Sequence, residues 1–224
     1  QLNIIFLLGK INYFKSEAAL DNNTIELAVE HLDKSIEWYD LSENQMYKID
    51  MMVERLKLYI EESQYKLGEK YLSKILIQLN KIKDSYDSSL IDILKIYLDV
   101  VNKNITNVEI DNIKNLISNG IDTKNIYAYW YLARISSLLD EQDKAIEYHK
   151  KSKEILGIIM DKLKTESEKE LYRETFYNKK LMLPLEKNEN KTVDNKYLIS
   201  CPNCSFGNEN NFGFCPGCGT SLRT

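Results

Sequence analysis

The sequence predicts an all-α chain that ends in a small, separately folded cysteine module, and three observations carry that expectation. Apolar residues recur at helical spacing in nearly every window before Pro184. Glycine and proline, the residues that most weaken a helix, number only eight and three in 224 residues, and over half of them fall after residue 200. All four cysteines lie between residues 201 and 218. With 43% hydrophobic residues the chain has ample apolar material for a core. The expected organisation is a helical domain over 1–184, a flexible linker over 185–198 and a cysteine module over 199–224.

Along the chain, Leu2 to Leu8 is an apolar run that begins beside Gln1 and looks like the middle of a helix. The chain is therefore expected to be a fragment, or the C-terminal part of something longer. Tyr59, followed by Tyr65, Gly68, Leu72 and Ile75, suggests a helical pair. Leu90 to Val101 and Val108 to Ile117 suggest another, separated by the polar Asn102-Lys103-Asn104 and stopped at Asn119-Gly120. Ile155 to Lys180 carries further helix with Leu156, Ile159, Leu163, Leu171 and Phe176 as its inner residues, and is expected to cap the helices before it. From Glu186 to Lys196 there is no periodicity, the charges balance and Asn is frequent, which describes a tether.

The stretch Tyr129-Trp130-Tyr131-Leu132-Ala133-Arg134, then Leu138-Leu139-Asp140, then Ala145 to Ser152 closely resembles one tetratricopeptide repeat. The resemblance implies that Leu132 and Ala133 admit the second helix, that Ala145 is the small residue at the crossing, and that His149 and Ser152 continue the packed face. Ser136 and His149 replace aromatic residues usual in the pattern. A weaker copy is Leu8 and Gly9 with Ala28, Leu32 and Ser35, if a longer loop around Ala18 to Asn23 is allowed. The implied architecture is a right-handed array of helical hairpins whose concave side binds a peptide or a domain. The segment Glu170 to Tyr177 resembles the R-x-S-F tail that follows such repeats in prokaryotic nucleotide cyclases and signalling NTPases.

In the tail, Cys201-Pro-Asn-Cys204 and Cys215-Pro-Gly-Cys218 form two C-x-x-C hooks. Four thiolates in this pattern suit tetrahedral zinc and leave no open position for a water or substrate, so the expected ion is structural Zn2+ held by Cys201, Cys204, Cys215 and Cys218. Gly207, Gly213, Gly217 and Gly219 permit tight turns, while Phe206, Phe212 and Phe214 offer a minimal core. So small a module needs the ion to fold. A disulfide pair is the alternative, disfavoured by two-residue spacing and the lack of a secretory signal; a thioredoxin-type site lacks its strand-to-helix setting. The string from Cys201 to Leu222 resembles the short zinc ribbons of prokaryotic multidomain proteins, with Ser205 in place of the usual Gly.

Catalytic patterns are not evident. His31 and His149, the only histidines, sit within helical patterns and are read as packing or surface residues. Glu61 with Glu62, and Asp140, Glu141 and Asp143, are read as solvated faces and helix starts. Most of the fifteen tyrosines recur at core spacing, with Tyr127, Tyr129 and Trp130 the cluster most suggestive of a binding surface. A net charge of −4, and a module whose only side-chain charges besides its thiolates are Glu209 and Arg223, argue against nucleic-acid binding. No apolar run spans a bilayer, and a cytoplasmic setting is expected. The expected function is a non-catalytic scaffold that binds a protein or peptide on its helical array, with the ribbon as a second contact. The alternative is the regulatory C-terminal region of a larger cyclase or NTPase, and the third is a nucleic-acid-binding ribbon.

Overall fold

The computed structural model describes residues 2–82, 85–104, 113, 115, 123–185, 198–200 and 207–209. Two compact units divide the chain, Gln1–Glu186 and Lys187–Thr224. Among the described residues of the first unit the regular elements are all helices, as the apolar periodicity requires. Its described helices are α1 (Leu2–Asp21), α2 (Ile25–Leu41), α3 (Gln45–Glu61), α4 (Tyr65–Leu79), α5 (Ser89–Val101), α6 (Thr123–Leu138), α7 (Gln142–Met160), α8 (Glu166–Arg173) and α9 (Phe176–Met182). From α1 to α7 each helix packs on the next described one in the chain. Of the expected helix from Val108 to Ile117, Ile113 is helical and buried; the rest lies outside the described residues, as do Asn119 and Gly120.

One turn recurs at the ends of α1, α2, α3, α5 and α6. A single non-glycine residue takes positive φ at each: Asn23, Glu43, Ser63, Lys103 and Asp140. Its N–H donates to the carbonyl three residues back, and the next N–H donates to the carbonyl five back, as in Ser63 to Ile60 and Gln64 to Tyr59. These bonds satisfy helix-end carbonyls that would otherwise have no partner, in the Schellman arrangement. The longer loop allowed around Ala18 to Asn23 is not formed: α1 stays helical through Asp21 and this same compact turn leads into α2. Since left-handed backbone costs an L-residue about 1–2 kcal/mol, and glycine loses about 0.4–1 kcal/mol more chain entropy on folding, Ser63→Gly should stabilise by about 0.5–1 kcal/mol. A denaturant titration reads this as a raised midpoint at unchanged slope.

Small residues set the hairpin crossings. A Cβ on Gly9 would lie 2.9 Å from the Tyr39 ring, so glycine is required for α1 to approach α2. Ser35 Oγ donates to the Gly9 carbonyl at 2.9 Å, and Ser152 Oγ donates to the Ile126 carbonyl at 3.0 Å across the same separation of 26 residues. The α1–α2 and α6–α7 pairs thus share one packing register. Ala28, Leu32, Ser35, Gly68, Leu72, Ile75, Leu132, Ala133, Ala145 and Ser152 are all buried, the positions that the helical pairs and the repeat resemblance implied. The apolar members that join the core, with Ile49, Leu56 and Ile60 of α3 and Leu94 and Leu98 of α5, form one cluster. Each fully buried Leu or Ile contributes about 1.5–3 kcal/mol relative to exposure.

The same register makes Ile11 and Phe14 of α1 the counterparts of Ala128 and Tyr131 of α6. Ala128 and Tyr131 are buried, and the Tyr131 ring meets Tyr97 of α5 edge-on with centroids 5.5 Å apart. On α1 that face is open: Ile4, Leu7, Ile11 and Phe14 are 64%, 55%, 47% and 61% exposed.

In the second unit, β1 (Leu198–Ser200) pairs antiparallel with β2 (Gly207–Glu209), Ile199 opposite Asn208. Leu198 therefore belongs to a strand, not to the end of the expected linker. Residues 186–197 lie outside the described part. Leu185, at the linker's start, packs on the helical core. No helix among the described residues is long and apolar enough to cross a membrane.

Candidate functional site

The segment after α7 departs most from its sequence pattern. Instead of one capping helix there are two short ones. Helix α8 starts with a capping box, Thr165 Oγ1 accepting from the Glu168 N–H while the Glu168 carboxylate accepts from the Thr165 N–H, and it buries no side chain. Leu171, expected to face inward, is 71% exposed, because the helix meets no partner on that side. Leu156 is buried, whereas Ile159, Leu163 and Phe176 are half-buried. Helix α9 then lies against α1, α3, α6 and α7 rather than capping the last helix alone.

Both ends of α9 are held. Asp21 Oδ1, on the last residue of α1, accepts from the Phe176 N–H at 2.9 Å. At the other end His149 Nε2 donates to the Leu181 carbonyl at 2.7 Å and Lys153 Nζ to the Met182 carbonyl at 3.1 Å, both from α7. A carboxylate at the start and donors at the finish complement the polarity of a short helix. His149 is buried, as its place in the repeat pattern implied, but the Leu181 bond gives it a docking role. His31 lines an open surface depression with Lys15, Asn22 and Thr24.

Between these ends lies a buried ionic and aromatic seat. Glu61, whose side chain is 6% exposed, accepts from Arg134 Nη1 at 2.5 Å through Oε1 and from Lys180 Nζ at 3.1 Å through Oε2. It is not the solvated end of a helix that its neighbour Glu62 suggested; packing of α6 and α9 over the C-terminal turn of α3 encloses it. Burial acts to raise its carboxyl pKa, but the Arg134 guanidinium and the Lys180 ammonium outweigh burial and hold it below the ordinary value. Arg134 also donates to the Tyr97 hydroxyl at 2.9 Å and lies over the rings of Tyr97, Trp130 and Tyr131.

One turn earlier on α3, the fully buried Lys57 pairs with Glu54 at 2.8 Å. Its ammonium sits 3.9 Å from the Tyr127 ring centroid and 4.1 Å from that of Tyr177 on α9. Burial pushes both phenols well above their ordinary pKa, so the rings stay neutral beside the cation. Of the aromatic cluster singled out in the sequence, Tyr127 touches α9 directly and Trp130 supports Arg134; Tyr129 packs on Tyr148. Glu61 and Lys57 were missed because the residues that enclose them are far away in the chain.

The helical unit should loosen its hold on α9 on acidification. Burial is the main cause that lowers the His149 pKa below 6.5; the Leu181 carbonyl opposes it and the Lys153 ammonium adds to it. The unfolded chain therefore binds more protons than the folded one as pH drops below 6.5, so this stabilisation is complete above that pH and is lost toward the folded pKa. Glu61 adds a loss of the same sign below 4.5, which Glu17 and Asp33, both raised by burial, oppose. Urea midpoints should be flat between about pH 7 and about pH 9 and fall from about pH 6.5 downward, and His149→Gln should remove that first step.

No family, curated protein or solved structure matches this chain. The four cysteines lie outside the described residues, and among the described ones no cluster of His, Cys, Asp or Glu could hold a metal. The donor set of four sulfurs suits zinc by its chemistry, with Cys201 and Cys204 on the segment that joins β1 to β2.

Proposed function

We propose that this chain is a non-catalytic protein-interaction scaffold. Helical hairpins of tetratricopeptide type present their concave side to a protein or peptide, and a zinc ribbon supplies a second contact. The observation that carries this reading is the repeated hairpin: one turn at five helix ends and one serine-to-carbonyl bond at two hairpin crossings. Units that bury one face each and stack on neighbours leave an extended surface for recognition. Structural Zn2+ on Cys201, Cys204, Cys215 and Cys218 would supply folding energy to the tail and no chemistry.

Panning a combinatorial peptide-display library on the zinc-loaded chain tests the scaffold reading. Enriched peptides that bind with micromolar or better affinity and protect amides on the helices support it. A library that yields none sinks it.

A second reading, the regulatory C-terminal region of a larger cyclase or NTPase, is favoured by the apolar stripe Ile4, Leu7, Ile11 and Phe14. Its Ile11 and Phe14 stand where the equivalent helix α6 buries Ala128 and Tyr131. In a larger natural polypeptide the amides of α1 should exchange more slowly than in this chain. Equal exchange removes that reading.

A further inference from the structure

We propose that α9 is a displaceable internal ligand, and that its seat is the binding site for a helical peptide of the same chemistry: an aromatic residue, a cation three residues on and a leucine next to it. The proposal rests on the scaffold reading and names the site and the partner class.

The seat reads each of these features. The aromatic position is that of Tyr177, whose ring packs edge-on against Tyr127 at 5.6 Å between centroids and against the Lys57 ammonium. The cationic position is that of Lys180, paired with Glu61, and the leucine position is that of the fully buried Leu181. Asp21, His149 and Lys153 hold main-chain groups at the two ends, so they recognise a helix of about two turns whatever its side chains.

Three observations make α9 a replaceable occupant. It has only seven residues, too few to be helical without the surface beneath it. The preceding α8 has no fully buried side chain and meets the core only through the half-buried Tyr172, so little packing fixes the connection. The fit is also imperfect. Tyr177 OH and Asn178 Oδ1 are buried with no protein group in hydrogen-bonding reach, and such atoms weaken docking. A partner with Phe at the Tyr177 position and an apolar residue at the Asn178 position avoids both losses. This seat is thus covered until a better-fitting helix arrives, and the measured affinity falls by the fraction of time the seat is open.

The probe is a fluorescent peptide with the sequence of residues 174–185, titrated into the zinc-loaded full chain, unsubstituted and as the double variant Lys180→Glu, Leu181→Asp that releases α9. Binding should be about 10- to 100-fold tighter to the released form. A peptide carrying Glu at the Lys180 position should be rejected there and accepted again when the protein also carries Glu61→Lys. A released chain that keeps its helical signal and binds no peptide overturns the proposal. If the double variant loses its helical signal, hydrogen exchange on the unsubstituted chain decides. Amides of α9 that exchange well before those of α3 and α6 support a displaceable segment, and exchange in step with them overturns it. Library peptides that protect some other surface would keep the scaffold reading and remove this site from it.

Discussion

Glu61→Gln should lower the stability of the helical unit by about 2–3 kcal/mol, or about 5–10 °C in melting temperature. Glutamine is nearly isosteric, so little packing is lost. What changes is that one carboxylate satisfies two cations from two other helices, Arg134 on α6 and Lys180 on α9. A neutral amide cannot offset either charge, and its NH2 group turns a donor toward donors. Breaking a buried pair by removing one partner costs about 3–5 kcal/mol. The lower value is expected here because the side chains of Arg134 and Lys180 are 21% and 33% exposed and regain some hydration. Circular dichroism melts read the shift, and faster amide exchange over residues 176–182 reports the loosening of α9. A melting temperature unchanged within about a degree would mean that water already solvates this cluster.

The second large effect is confined to the tail. Cys204→Ser or Cys215→Ser should abolish stoichiometric zinc binding and unfold the region from residue 199 onward, while the helical signal stays intact. Bound structural zinc contributes about 10–16 kcal/mol to the folding of small cysteine modules, far more than a β1–β2 pair of three residues each can supply without it. The helical core belongs to the other compact unit, so it does not depend on the ion. Elemental analysis gives the metal content, and the amide spectrum of residues 198–209 reports the hairpin. A serine variant that keeps a full equivalent of zinc would remove the four-thiolate assignment; a matching loss of helical signal would remove the separation into two units.

The helices were legible because each is a local statement. An apolar face repeated every three to four residues has one good conformation, and Ala28, Leu32, Gly68, Leu72, Ala145 and Ser152 fell where that face lies. The turns were harder to see. Asn23, Glu43, Ser63, Lys103 and Asp140 take the left-handed conformation that glycine would have advertised, so the turns at Glu43 and Ser63 gave no signal and the one at Asn23 was read as a longer loop. Leu171 was misplaced for a related reason: an amphipathic pattern tells which side of a helix is apolar and not whether anything covers it.

Charge burial lay beyond local reading. Glu61 looks like its exposed neighbour Glu62, and its cations stand 73 and 119 residues further along the chain. Composition, periodicity and the two cysteine hooks specify a helical body and a module with the donor set for a metal, since propensity, amphipathicity and ligand spacing act over a few residues. The seat under α9 arises from where four helices bring their side chains. Coulomb energy and desolvation depend on distances in space, and packing alone set those distances.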